Sequence, residues 1–134
     1  MESESEMKSG LPVVFLIDDD HMMHDLIKII LEGVADLRSA YCFDEAETYL
    51  NQPDSDPVMM LVDLNLGRGG NGVDLLKSIK QMPRFAGVPV VAVTAYSMSG
   101  DDEKLLEEGF DYFLSKPFRK RILLEIFNKV LALK

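Results

Sequence analysis

Apolar residues in this chain gather into short unbroken runs separated by longer amphipathic stretches. The first run, Val13–Ile17, follows Pro12 and stops at Asp18-Asp19-Asp20. A run this short and this rich in β-branched residues reads as a strand buried on both faces. Val58–Val62 and Val88–Val93 repeat the pattern, the former running into Asp63 and the latter into Thr94-Ala95. Asp36–Tyr41 is a weaker strand, and Tyr112–Leu114 is a fifth, closed by Ser115-Lys116-Pro117. The stretches between have helical period. Met23, Leu26, Ile27, Ile30 and Leu31 recur at spacings of three and four, with Asp20 placed to cap the helix and Gly33 to end it in a left-handed turn. Asp44 and Glu47 form a capping-box pattern that opens a helix through Leu50. Val73, Leu76 and Ile79 mark a third helix. Ser99 would cap a fourth from about Gly100 to Glu108, with Gly109 as its stop. Ile122, Ile126, Phe127, Val130 and Leu131 line one face of a last helix.

Strands that alternate with helices imply βαβ units, hence an α/β fold with a five-stranded parallel sheet wound on both faces. The 134 residues suit one domain. Residues 1–10 are polar and acidic, without apolar period, and read as a disordered tail ahead of a domain over residues 11–134. The longest apolar runs have five residues, far short of the about 20 that a membrane span needs. The N-terminus does not resemble a signal peptide, and Cys42 is the one cysteine, so neither a disulfide nor a cysteine-based zinc site fits; a cytoplasmic protein is expected. The formal net charge of −9 argues against general nucleic-acid binding. The charge is uneven: residues 1–115 carry a net of −14, whereas 116–134 carry +5. The basic final helix is read as a solvated face, with a partner-docking surface as the sharper alternative.

The chemistry concentrates at strand ends. In open α/β sheets, ligands bind beyond the carboxyl ends of the strands, where the strand order reverses. With order 2-1-3-4-5, the first and third strands are neighbours and their terminal acids meet. Several carboxylates in one crevice repel one another, and a divalent cation with oxygen ligands, Mg²⁺ in kind, relieves this. Lys116 adds a positive charge and Thr94 a hydroxyl. Carboxylate, metal, hydroxyl and ammonium together suit a phosphoryl group, and a carboxylate beside the metal can itself be the nucleophile.

This arrangement resembles the response regulator receiver family, of the chemotaxis-regulator type and flavodoxin-like in fold. The carrying residues are Asp18-Asp19, Asp63, Thr94-Ala95 and Lys116-Pro117-Phe118, at intervals of 44, 31 and 22 residues from Asp19 onward. The resemblance runs from about Leu11 to Leu133. It implies that Asp63 accepts a phosphoryl group from a histidine kinase or phosphotransfer protein. Asp18, Asp19, Asp63 and the backbone carbonyl of Asn65 would hold Mg²⁺, with Mn²⁺ a substitute. Thr94 and Lys116 would bind phosphoryl oxygens, and Thr94 and Phe113 would form the switch. The fourth helix, fifth strand and fifth helix would meet the downstream protein, as a monomer or a phosphorylation-dependent dimer. The Lys116–Pro117 bond would be cis. Such a receiver is a signalling phosphoacceptor rather than an enzyme, although it promotes its own phosphorylation and dephosphorylation. Neither nucleic acid nor membrane is an expected partner.

Two departures stand out. The loop after Asp63 carries Gly67, Gly69, Gly70 and Gly72, where many members have a proline at the place of Gly67. Tyr96, two residues past Thr94, is bulky enough to obstruct the hydrolytic water, so it is expected to lengthen the phosphoryl lifetime. Other features receive plainer readings. Asp20 is a helix cap rather than a third ligand. His21 and His24 are surface bystanders, His21 near the pocket rim. Cys42 is a buried small hydrophobe, the methionines fill the core, and the glycine loop is an ordinary connection. An aspartyl-nucleophile phosphohydrolase would need an acid where Asn65 stands. An FMN module would meet three repelling aspartates after the first strand. The acidic start and the short end suggest a stand-alone regulator without DNA-binding output; the alternative is a receiver fragment of a hybrid histidine kinase.

Overall fold

In the computed structural model, residues 10–54, 56–64, 72–94 and 107–133 are described. The strands are β1 (Val13–Ile17), β2 (Asp36–Ala40), β3 (Met59–Asp63), β4 (Val90–Thr94) and β5 (Tyr112–Ser115). The helices are α1 (His21–Leu31), α2 (Phe43–Leu50), α3 (Gly72–Lys80) and the C-terminal helix α4 (Lys120–Ala132). A short 3₁₀ turn, Pro83–Phe85, precedes β4 and was not signalled by the pattern. The expected helix from Gly100 lies outside the described residues except at its end.

All strand pairs are parallel, in the order β2-β1-β3-β4-β5. This is the expected doubly wound sheet. The chain steps from β1 outward to β2, then returns past β1 to β3, so the order reverses between β1 and β3. Alternate residues of the strands feed two cores. Phe15, Ile17, Met60, Val62, Val90 and Ala92 meet Ala46, Leu50, Leu75, Leu76 and Ile79 of α2 and α3. Val14, Leu16, Met59, Leu61, Val91 and Val93 meet Ile27, Ile30 and Leu31 of α1 and Leu123, Ile126, Phe127 and Val130 of α4. Covering on both faces is why β1, β3 and β4 read as continuous apolar runs, whereas β2 at the sheet edge is partly exposed.

Local signals hold in part. Asp20 caps α1, its side chain accepting from the Met22 N–H, and Gly33 and Gly109 have positive φ as expected of helix ends. The α2 capping box does not form. The helix begins at Phe43 with Cys42 at its cap, and Glu45 instead accepts from the Tyr41 N–H at 2.7 Å. An earlier start leaves Asp44 inside the first turn. Cys42 is half-buried rather than buried. On α1, Leu26 faces outward with Met22 and Ile29, so that helix carries a second, exposed apolar stripe, and Met22 fills no core. Met59 and Met60 are fully buried as expected. No helix among the described residues is long and apolar enough to cross a membrane.

Candidate functional site

β1, β3, β4 and β5 end side by side, and their last residues build one pocket. Ile17 pairs with Val62, so Asp18 and Asp63 leave neighbouring strands together. Asp18 is fully buried, Asp63 and Thr94 are buried at 6% and 9% exposure, and Asp19 is exposed. Carboxylate oxygens of Asp18, Asp19 and Asp63 lie within 4.8 Å of one another, the described cluster of potential metal ligands. Thr94 pairs with Ser115, and the Lys116 N–H donates to the Thr94 carbonyl at 2.7 Å. Lys116 reaches into the acids: its Nζ is 3.0 Å from Asp18 Oδ2 and 3.8 Å from Asp63 Oδ1. The Lys116–Pro117 peptide is cis.

Asp18 is held on every side. Its N–H donates to the Ala40 carbonyl, its Oδ1 accepts from the Asp20 N–H at 2.9 Å, and its carbonyl meets His24 Nε2 at 2.7 Å. His24 is therefore not a surface bystander. It is 3% exposed, and its Nδ1 sits 2.7 Å from Ser39 Oγ. His21 is exposed, its ring stacked on that of Tyr41 with centroids 4.2 Å apart. Helical period had placed His24 on α1, but not against the end of β1.

Gly72 was read only as part of a flexible loop. It opens α3, and a Cβ there would come within 2.6 Å of the Asp63 carbonyl and 3.0 Å of Leu64 Cα. Only a bare backbone fits so near the strand that carries Asp63. Phe113 is half-buried and packs on the α2–α3 side of the sheet. Asn65, Tyr96 and the rest of the glycine loop lie outside the described residues.

An oxygen-only set of carboxylates, two of them buried, suits a hard cation such as Mg²⁺ better than a soft metal. The ammonium of Lys116 beside them suits an anion with several oxygens.

The family model of the response regulator receiver domain matches residues 14–128. The chain belongs to this family. As a receiver domain it is part of two-component signalling, where such domains work with histidine kinases or phosphotransfer proteins. It is 28% identical over 131 residues to the sensor histidine kinase GacS of Pseudomonas protegens, covering 96% of this chain and 14% of that protein. It is 28% identical over 119 residues to the response regulator Rre1 of Synechocystis, covering 89% of this chain and 51% of that protein. The chain thus spans about half or less of the length of these relatives. Among solved structures, the receiver domain of the Francisella response regulator 1452 superposes with a TM-score of 0.76 at 26% identity, over 89% of this chain and 95% of that one.

Proposed function

We propose that this receiver takes a phosphoryl group onto Asp63 in a Mg²⁺-dependent transfer from a phosphohistidine. The observation that carries the reading is Lys116 Nζ set between the carboxylates of Asp18 and Asp63 at the switch point of the sheet. An Asp63 carboxylate oxygen forms the new P–O bond as the P–N bond to the donor imidazole breaks, and the imidazole leaves with its electron pair. The Lys116 ammonium and the Thr94 hydroxyl stabilise the charge spread over the equatorial oxygens. Asp18 and Asp19, with Asp63, would hold Mg²⁺, which would supply positive charge to the phosphoryl oxygens beside Asp63. The asymmetry of burial fits these parts. Asp18 is tethered and desolvated, whereas Asp19 remains open to solvent.

The readout surface is the side of β5 and α4. A groove of about 410 Å³ runs there between Phe113, Phe118 and Ile122, with Arg119 and Arg121 on its wall. The basic excess of residues 116–134 makes an acidic protein surface its natural partner. The relatives include a sensor histidine kinase and a response regulator, both longer than this chain, and the phosphoacceptor chemistry is the same whether the receiver acts by itself or inside a larger protein.

Incubation with acetyl phosphate and Mg²⁺, followed by intact mass, tests the reading. The expected result is one added phosphoryl group, absent from Asp63→Asn and absent when the metal is chelated. An unmodified wild type, or an Asp63→Asn variant modified to the same extent, would refute it.

A further inference from the structure

We propose that His24 is a positioning residue for the acidic end of the sheet, acting through the backbone carbonyl of Asp18. This rests on the phosphoacceptor reading and adds to it a residue that touches neither metal nor phosphoryl group. The Asp18 oxygen that His24 meets belongs to the peptide unit joining Asp18 to Asp19. That unit is planar, so fixing its oxygen fixes the direction in which Asp19 leaves β1. The two acids that begin the pocket therefore share one tether. A carbonyl oxygen can only accept, so Nε2 carries a proton and donates it to Asp18, while Nδ1 is held 2.7 Å from the Ser39 hydroxyl. Ser39 stands on β2 opposite Leu16, and its bond holds the imidazole from behind. The ring of Tyr41 lies 4.1 Å from that of His24 and is itself stacked under His21. The bond to Asp18 is itself buried, so water does not compete for it. His24 thus joins α1, the end of β1 and β2 at one point beside the ligands. Side chains that orient metal ligands in this way commonly change metal affinity by about 10–100-fold when replaced.

Two measurements test this. In metal-free wild type, long-range ¹H–¹⁵N NMR of the imidazoles should show a proton on His24 Nε2; an Nε2 without a proton would overturn the proposal, and this readout needs no variant. Calorimetric titration with Mg²⁺ should then separate three substitutions. A glutamine amide reaches the place of Nε2, whereas an asparagine amide reaches only that of Nδ1. His24→Gln should stay close to wild-type affinity, and His24→Asn and His24→Leu should both lose about tenfold. Equal affinity in His24→Asn and wild type, or a loss in His24→Gln as large as in His24→Leu, would overturn it. If His24→Leu does not fold, the Gln and Asn pair carries the comparison. A wild type that binds no Mg²⁺ removes the phosphoacceptor reading as well, whereas unaffected variants of a binding wild type remove only the role of His24.

Discussion

Asp18 has no solvent contact, and every directed bond it makes leads to a different part of the chain: Ala40, Asp20, His24 and Lys116. A buried carboxylate is stable only when so paired. Gly72 shows the converse, a residue needed for what it lacks. Gly72→Ala should destabilise the fold by about 1–3 kcal/mol, because the methyl group would meet the Asp63 carbonyl and backbone cannot yield as a side chain can. Urea unfolding checks the loss, and the same variant should be phosphorylated more slowly by acetyl phosphate. Tyr49 supplies a pH signature. Burial pushes its phenol above the ordinary tyrosine range; Arg38 opposes this, Asp54 and Asp56 reinforce it, and Arg84 opposes it again. The folded state holds the proton more tightly, so the contribution is complete below about pH 10 and is lost as pH rises through the folded value. Tyr49→Phe should flatten the alkaline limb of the stability profile, measured by denaturant unfolding between pH 9 and 11.

At the scale of elements, α2 starts with a weak cap. Cys42 occupies the cap position in extended conformation and makes no side-chain bond to the helix, and the first turn relies on Glu45 reaching back to Tyr41. Cys42→Ser should stabilise the protein by about 0.5–1 kcal/mol, since a hydroxyl there can accept from the first free N–H groups. A shift of the urea midpoint with unchanged slope would confirm this, and an unchanged midpoint would contradict it. The alternation of strands and helices, the caps of α1 and the stops at Gly33 and Gly109 were legible in the sequence because each depends on neighbours within a turn or two. The start of α2 was not, because Asp44 with Glu47 makes a good local cap whereas the packing of Phe43 and Ala46 on the sheet chose an earlier frame. The outward turn of Leu26 was equally hidden: an apolar residue at helical spacing belongs to whichever face the sheet covers.

Across the whole molecule, Lys116 and Asp18 join positions 98 residues apart, the C-terminal and N-terminal ends of the fold. Lys116→Ala leaves a fully buried carboxylate without its cation. The loss should be about 2–4 kcal/mol in the absence of metal, the lower part of this range reflecting the partial exposure of the ammonium. Millimolar Mg²⁺ should reduce that loss, because a ligand that binds the folded state restores the missing positive charge. Unfolding curves with and without Mg²⁺ check the difference, and a loss independent of Mg²⁺ would place the stabilising contact elsewhere.

The sequence by itself determined the class of fold, the strands buried on both faces, and the order in which acids, hydroxyl and lysine follow them. Those properties are local: they follow from apolar period, from turn chemistry and from what stands at the end of each run. Only the tertiary structure decided that Lys116 meets Asp18 and Asp63, that His24 holds the Asp18 carbonyl, and that Gly72 passes against Asp63. The first joins residues up to 98 apart along the chain, and the other two join neighbours in sequence that belong to different elements. They depend on the reversal of strand order between β1 and β3 and on the direction each side chain takes from its element, which no spacing along the chain records.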